Sequence, residues 1–316
     1  MKNKKIVIII GGPTSSGKSN LALDIAKKEG GSIINADSKQ IYGYLPILTA
    51  SPTVKDKKEI PHFLYDKWND IHQICSASLW RKKAVHFINN SHKRNIIPCI
   101  VGGTGFYLQT LIQGLSPIPY VPQSIRTEAT KYHQIWGNKK FYNYICKIDP
   151  EISQNLHFQD TQRLIRAFEV ITHTGIKLSK WQKKEKIMGE KKLWYFHIIL
   201  LKPDKIQLYK KSSSRIKFMF KNGAIEEVKK IIKLKLQKNH PLLKAVGVQE
   251  IIEYLKGGTL KEAIAKSEIR TNKYIKKQLT WFKKHLKAEQ IIEKVYPGNN
   301  PCDTLEKIIL NLRNNI

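Results

Sequence analysis

The sequence predicts an α/β protein: a parallel-sheet core carrying a phosphate-binding loop, a helical insertion, and basic C-terminal helices. Three observations lead there. The apolar run Ile6 to Ile10 passes directly into Gly12-Pro13-Thr14-Ser15-Ser16-Gly17-Lys18-Ser19, the strand-then-loop context of a P-loop. Short apolar runs at Ser32 to Ala36 and Ile96 to Val101 alternate with helical stretches, as in a parallel sheet covered on both faces. The apolar and aromatic run Leu193 to Leu201 then reads as a strand rejoining the sheet after a block without strand signal.

Taken in order, Ile6 to Ile10 is a buried strand and Asn20 to Lys28 a helix. Between them, glycines let backbone N–H groups turn inward around an anion, and the helix directs its positive end at it. Lys18 adds a full charge, and Ser19 has the position from which a hydroxyl binds Mg²⁺. Gly12, Pro13, Thr14, Ser15, Ser16, Gly17, Lys18 and Ser19 are therefore the expected phosphate site of a P-loop NTPase-like core. The second strand ends at Asp37, placed to act as a base or Mg²⁺ partner; the alternative is a helix cap. The third is stopped by Gly102-Gly103-Thr104-Gly105, where a hydroxyl and open backbone approach the same anion. Ligands of open α/β sheets bind outside the carboxyl ends of strands, so Asp37 and Thr104 join the P-loop as one candidate site. The third strand leads to glycine and not to Asp or Glu, which weakens a motor or GTPase reading and leaves a small-molecule kinase open.

Three prolines between Ser116 and Pro122 mark a linker, and Gln123 to about Trp181 is helical in pattern. This divides the chain into residues 1–120, the first part of the core; 121–192, a helical insertion; and 193–316, the return strand with basic C-terminal helices and a tail from Leu305 to Leu312.

At 316 residues and 41% hydrophobic content the chain has material for about two domains with a real core. No apolar run approaches the ~20 residues of a membrane span, and the N-terminus enters a strand with no room for a signal peptide, so a cytoplasmic protein without membrane attachment is expected. Cys75, Cys99, Cys146 and Cys302 form no CxxC pair, which points to free thiols and away from zinc or disulfides. The net charge of +31 suggests a polyanionic partner. Only 8 of the 56 basic residues are arginine, so AT-rich codon usage accounts for part of the excess. Distribution is more telling: Lys256 to Lys287 carries ten Lys/Arg against Glu262 and Glu268, with Tyr274, Trp281, Phe282 and His285 interleaved. That mixture suits RNA phosphates and unstacked bases; the alternative has the rings facing a core and the lysines facing water.

The ordered motifs GPTSSGKS from Gly12, ADSKQIY from Ala36, TASP from Thr49, PHFLYD from Pro61, SASLWR from Ser76, VGGTGFY from Val101, DTQRLIRAFEV from Asp160, AVGVQE from Ala245 and KKQLTWF from Lys276 resemble the tRNA dimethylallyltransferases, or tRNA isopentenyltransferases. The likeness runs from Gly12 to about Lys283. The pattern is broken at Ser51, where the family has Lys, at Val248, where it has Tyr, and at Thr271-Asn272 and Lys276-Lys277-Gln278, which replace Arg-bearing elements. Lysine cannot reproduce the bidentate geometry of arginine.

The resemblance implies transfer of a dimethylallyl group from dimethylallyl diphosphate to N6 of the adenine immediately 3′ of the anticodon, with Mg²⁺ as cofactor and the tRNA anticodon stem-loop as partner of a monomeric enzyme. The P-loop then holds the donor's pyrophosphate, Asp37 is the general base, and Thr104 and Arg215 stabilise the leaving group. Ser19 and Asp37 are the implied metal partners. Asp37, Ser38 and Gln40 would read the flipped adenine, and Lys39 and Thr104 would also contact the tRNA. Arg126, Gln162, Arg163, Leu164, Ile165 and Arg166 in the insertion, and Lys244, Gly247, Gln249, Lys276, Lys277, Gln278, Trp281 and Lys283 in the C-terminal part, would contact RNA. Arg163 and Arg166 lie one turn apart, but Asp160 and Glu169 nearby make an intrahelical ion-pair ladder the alternative. A metabolite kinase, a prenyltransferase acting on free adenine nucleotides, and a non-catalytic RNA-binding protein with a relic P-loop share parts of the pattern.

Overall fold

The structure, a computed structural model, describes residues 4–65, 68, 70–154, 156–184, 194–237, 239–297 and 301–314. Leu193, at the start of the expected return strand, lies outside them.

β1 (Lys5–Gly11) leads through the P-loop into α1 (Lys18–Glu29), followed by β2 (Gly31–Asn35), α2 (Val54–Glu59), β3 (His62–Phe63), α3 (Ala77–Lys93), β4 (Ile97–Gly102) and α4 (Gly105–Gln113). A helical stretch follows: α5 (Gln123–Ile148), broken at Gly137 where φ is +70°, α6 (Thr161–Thr174) and α7 (Leu178–Lys183). The chain then forms β5 (Trp194–Leu201), α8 (Lys205–Lys221), α9 (Ala224–Lys233), α10 (Val248–Leu255), α11 (Leu260–His285), β6 (Gln290–Ile292) and α12 (Pro301–Asn314).

The six strands make one parallel sheet in the order β3-β2-β4-β1-β5-β6. The predicted parallel α/β core is thus present. Alternation along β1 sends Val7 and Ile9 to one face and Ile8 and Ile10 to the other, and each face has its own apolar core. α3, α4, α8 and α11 supply Trp80, Leu108, Phe220 and Phe282 to the first; α1 and α12 supply Leu21, Ile25, Ile308 and Leu312 to the second. Burying one such Leu, Ile or Phe side chain stabilises by about 1.5–3 kcal/mol, so the double-sided core fixes the sheet firmly. Register then matters for function. Gly11 is level with Gly102 and Leu200, and Asn35 with Val101, so the loops after β1, β2 and β4 leave the sheet at one height.

Residues Met1–Ile112 with Glu190–Ile316 form one compact unit and Gln113–Gly189 a second. The second has its own core, including Phe141, Ile145, Leu164, Phe168 and Trp181. Buried Asp149 accepts hydrogen bonds from Ser179 N (2.9 Å) and Ser179 Oγ (2.6 Å), satisfying donors at the start of α7. Among the described residues no helix is long and apolar enough to cross a membrane.

Candidate active site around the phosphate-binding loop

The loop after β1 has the backbone that an anion cradle requires. Gly17 caps α1 at φ +94°, and Gly12 sits at φ +149° where a Cβ would lie 2.5 Å from the carbonyl oxygen of Leu201. Both need glycine. Ser16 Oγ donates to Pro13 O (2.8 Å) and Lys18 Nζ to the same oxygen (2.6 Å), which holds the loop folded. Burial lowers the Lys18 ammonium to about 7, helped by repulsion from Arg215 and opposed by the Asp37 carboxylate. Burial and the Asp37 carboxylate also act on Arg215, where burial dominates and brings the guanidinium down to about 10. Arg215, reaching from α8, donates through Nη2 to Thr14 Oγ1. Its Nε, like Ser15 Oγ, is buried without a hydrogen-bond partner among the described residues. Buried donors without partners cost free energy, which an acceptor at this position would offset.

Asp37 is positioned by Asn35, which is fully buried at the end of β2. Asn35 Oδ1 accepts from Asp37 N (2.7 Å), while its Nδ2 donates to Leu64 O (2.7 Å) and Asp37 O (3.1 Å). Trp80 Nε1 donates to Asn35 O (2.7 Å), so the turn is anchored to α3. Asp37 Oδ1 accepts from Lys39 N (2.8 Å) and Gln40 N (3.4 Å), forming an Asx turn. Among the described residues no hydrogen bond is made to Asp37 Oδ2, which leaves that oxygen for a proton or a cation.

Thr104 joins this turn to the loop after β4. Its N–H donates to Ala36 O (3.1 Å) and its Oγ1 accepts from Ser38 N (3.0 Å), leaving the hydroxyl hydrogen for a ligand. A Cβ on Gly102 would lie 2.1 Å from Ala36 O, so only glycine allows the two loops to meet. Gln278 completes the assembly from α11: Oε1 accepts from Thr14 N (2.9 Å) and Nε2 donates to Gly103 O (3.0 Å). A Cβ on Gly103 would fall 2.3 Å from Gln278 Nε2. The sequence reading made Gln278 an RNA contact; the structure places it between the two loops. Its amide is buried and both ends are spent bracing the two glycine-rich loops.

Other expected RNA residues divide in the same way. Lys276, Lys277, Lys283, Gln249, Gln162 and Arg163 are exposed, and Lys244 is exposed beside α10. Leu164 is fully buried in the core of the helical unit and has no surface to offer RNA; Ile165 is half-buried against that core. Gly247 is buried at φ +95° as the cap of α10, where a Cβ would sit 2.6 Å from Leu48 Cδ2. Gln40 Nε2 donates to Thr49 O (2.8 Å) and Ala50 O (3.1 Å) and so braces a neighbouring loop. Trp281 is half-buried, lies against Gly105 and stacks on His285 at 4.8 Å. On α11 the two readings coexist, with Phe282 in the core and the lysines in solvent.

In the helical unit the ion-pair ladder exists: Arg163 Nε is 3.2 Å from Asp160 Oδ2 and Arg166 Nη1 3.1 Å from Glu169 Oε2. Glu169 is buried and also pairs with Arg126 Nε at 3.1 Å. One carboxylate thus holds two half-exposed arginines, a role that i,i+3 spacing reveals for Arg166 but not for Arg126, which is on another helix. Arg270 was also missed: it pairs with Glu250 (3.0 Å), donates to Lys244 O (2.8 Å), and with Lys244 opposes protonation of Lys39, whose ammonium is lowered chiefly by burial.

Comparison with known proteins places this geometry. A family description, IPP transferase, matches residues 40–285, and a second, isopentenyl transferase, matches residues 5–64. The chain belongs to the IPP transferase family. A tRNA dimethylallyltransferase of Rickettsia bellii is 41% identical over 289 residues, covering 90% of each chain. That of Rickettsia canadensis is 38% identical over 315 residues, covering 99% of this chain and 95% of its own. A solved structure of a eukaryotic dimethylallyltransferase acting on tRNA superposes with a TM-score of 0.82 at 25% identity, covering 98% of this chain and 80% of that one. In this IPP transferase the elements that meet at the P-loop come from both ends of the sequence: Thr14, Asn35 and Thr104 from the first part, Arg215 and Gln278 from the last.

Proposed function

We propose that this chain transfers a dimethylallyl group from dimethylallyl diphosphate to N6 of the adenine 3′-adjacent to the anticodon of tRNA, releasing pyrophosphate. The observation that carries the reading is the docking of the Asp37 turn on Thr104, through Ser38 N to Thr104 Oγ1 (3.0 Å) and Thr104 N to Ala36 O (3.1 Å). It joins an acceptor-side carboxylate to a phosphate cradle, while β4 ends in glycine with no second carboxylate of the kind that holds Mg²⁺ in many NTPases.

The roles follow from charge. As the allylic carbon–oxygen bond breaks, the carbocation is delocalised and the demanding term is negative charge on the departing pyrophosphate. P-loop N–H groups, Lys18, the Thr104 hydroxyl and Arg215 stabilise that charge in place, without the reorganisation water would need. The adenine amine forms the new carbon–nitrogen bond, and Asp37 Oδ2 takes the proton it loses. Ser19, exposed in the first turn of α1, and Asp37 suit Mg²⁺, which binds through few protein oxygens and keeps its waters. The ion would supply Lewis-acid neutralisation of the diphosphate. Among the described residues no group of three or more His, Cys, Asp or Glu converges as a protein-only metal cage, which agrees with an ion shared with substrate. The exposed lysines of α11, with Lys39, Lys244 and Arg270, and the arginines of the helical unit supply cations for tRNA phosphates.

The test is incubation with labelled dimethylallyl diphosphate, Mg²⁺ and either unmodified tRNA with adenines 3′ of its anticodon or free AMP. Label in tRNA is expected; label in AMP alone would overturn the proposal in favour of a nucleotide prenyltransferase.

A further inference from the structure

After β6, Tyr296 lies directly on the phosphate-binding loop. Tyr296 N donates to Ser16 O (3.0 Å), and Tyr296 O accepts from Lys211 Nζ of α8 (3.4 Å). A Cβ on Gly17 would lie 1.9 Å from Tyr296 O, so the two backbones are in direct contact. The Tyr296 ring is 1% exposed in the core formed by α1 and the sheet, and its hydroxyl donates to Asp24 Oδ2 on α1 at 2.7 Å. Beyond it, α12 packs along α1, with Arg313 Nη2 2.9 Å from Glu29 Oε1 and Leu312 fully buried. The chain beyond β5 therefore grips the P-loop and both ends of the helix whose N-terminus faces the anion. Neither matched family description extends past residue 285, so this grip belongs to a part of the chain to which they assign nothing.

We infer that Tyr296 is a positioning residue for the diphosphate site: by tying Ser16 and Gly17 to Asp24 it holds the P-loop N–H groups pointing at the anion. The inference rests on the reading that this loop binds the donor's diphosphate. Ser16 and Gly17 form the corner where the loop turns into α1, and a corner left free would have to be ordered at each binding event. The ring secures packing; the hydroxyl adds a fixed tether between the segment and the helix.

Pyrophosphate binding in the presence of Mg²⁺, measured by titration calorimetry on the full chain, tests this directly. Tyr296→Phe keeps the ring in its core site and removes only the tether. It is expected to weaken pyrophosphate and raise the KM for dimethylallyl diphosphate by about three- to tenfold, the effect of one hydrogen bond, while tRNA affinity is unchanged. Asp24→Ala should reproduce this, and Asp24→Asn, which keeps an acceptor oxygen, should recover most of the loss. A lowered Tm with unchanged pyrophosphate affinity and donor KM in Tyr296→Phe would make the residue a packing element only and overturn the inference. Wild-type protein that fails to bind pyrophosphate would instead overturn the reading of the loop itself, and this inference with it.

Discussion

Gln278 separates two accounts of α11, because its amide either meets RNA or braces the phosphate loops. In the structure both of its polar ends are used internally, on Thr14 N (2.9 Å) and Gly103 O (3.0 Å). Gln278→Met preserves volume and helix propensity but leaves one partly buried donor and one buried acceptor without a partner. Each such loss costs about 1–3 kcal/mol, so the pair amounts to roughly 2–6 kcal/mol. Part of this appears as lower global stability and part as disorder of Thr14 and Gly103, the segments that flank the anion. If half of the effect falls on the loops, donor affinity drops about five- to a hundredfold at ~1.4 kcal/mol per factor of ten. The assay is steady-state kinetics with each substrate varied in turn, together with urea unfolding. The expected result is a higher KM for dimethylallyl diphosphate with tRNA binding nearly unchanged. A variant that loses tRNA affinity while keeping its donor KM would refute the bracing argument and return Gln278 to the RNA surface.

Three further outcomes follow from the same geometry. Asp37→Ala should lower transfer by about 10²–10⁴, the usual range for a general base, while tRNA still binds in a filter assay; near-normal turnover would show that the proton goes elsewhere. Lys18 is near 7 when unliganded, against 10.5 for a free lysine, and an anion in the loop favours its charged form. Below about 7 it is already protonated and binding takes up no proton; above that, binding must take one up, so pyrophosphate affinity should fall as pH rises from 7 towards 9, measured by calorimetry in two buffers of different ionisation heat. Lys18→Met should bind more weakly and lack the lysine-linked proton uptake. Finally, Glu169→Gln should loosen Arg126 and Arg166 and raise the KM for tRNA several-fold with donor KM unchanged, while an unaltered tRNA KM would make that cluster purely structural.

Much of the core was legible because its signals are local. A strand entering a P-loop, apolar runs of strand length and a return strand each announce themselves within about ten residues. The edge strands His62–Phe63 and Gln290–Ile292 did not, since two or three residues carry no measurable periodicity. Helix α1 starts at Lys18, two residues before the expected Asn20, because Gly17 provides a left-handed cap and lets the first turn form directly after the loop. Within the site, the residues that touch the ligand space were visible as motifs, and those that hold them in place were not. Gln278 and Arg270 sit in α11, where a polar residue among lysines reads as surface.

That difference has a physical origin. A phosphate loop needs specific backbone conformations, so glycines at fixed offsets are forced and the sequence shows them. A brace needs only a polar group at the right point in space, and the partner can be any distance away along the chain. Gln278 is 264 residues from Thr14, and Arg215 is 201 residues from it. Such pairs exist only once the sheet has set Gly11, Gly102 and Leu200 level and the α8 and α11 helices have packed on one face. The chemistry at the loop therefore depends on correct closure of the whole unit. A destabilising change in α11 should reduce donor binding before it unfolds the sheet, because the bridge at Thr14 is lost with the docking of that helix, whereas β1 and β4 remain paired.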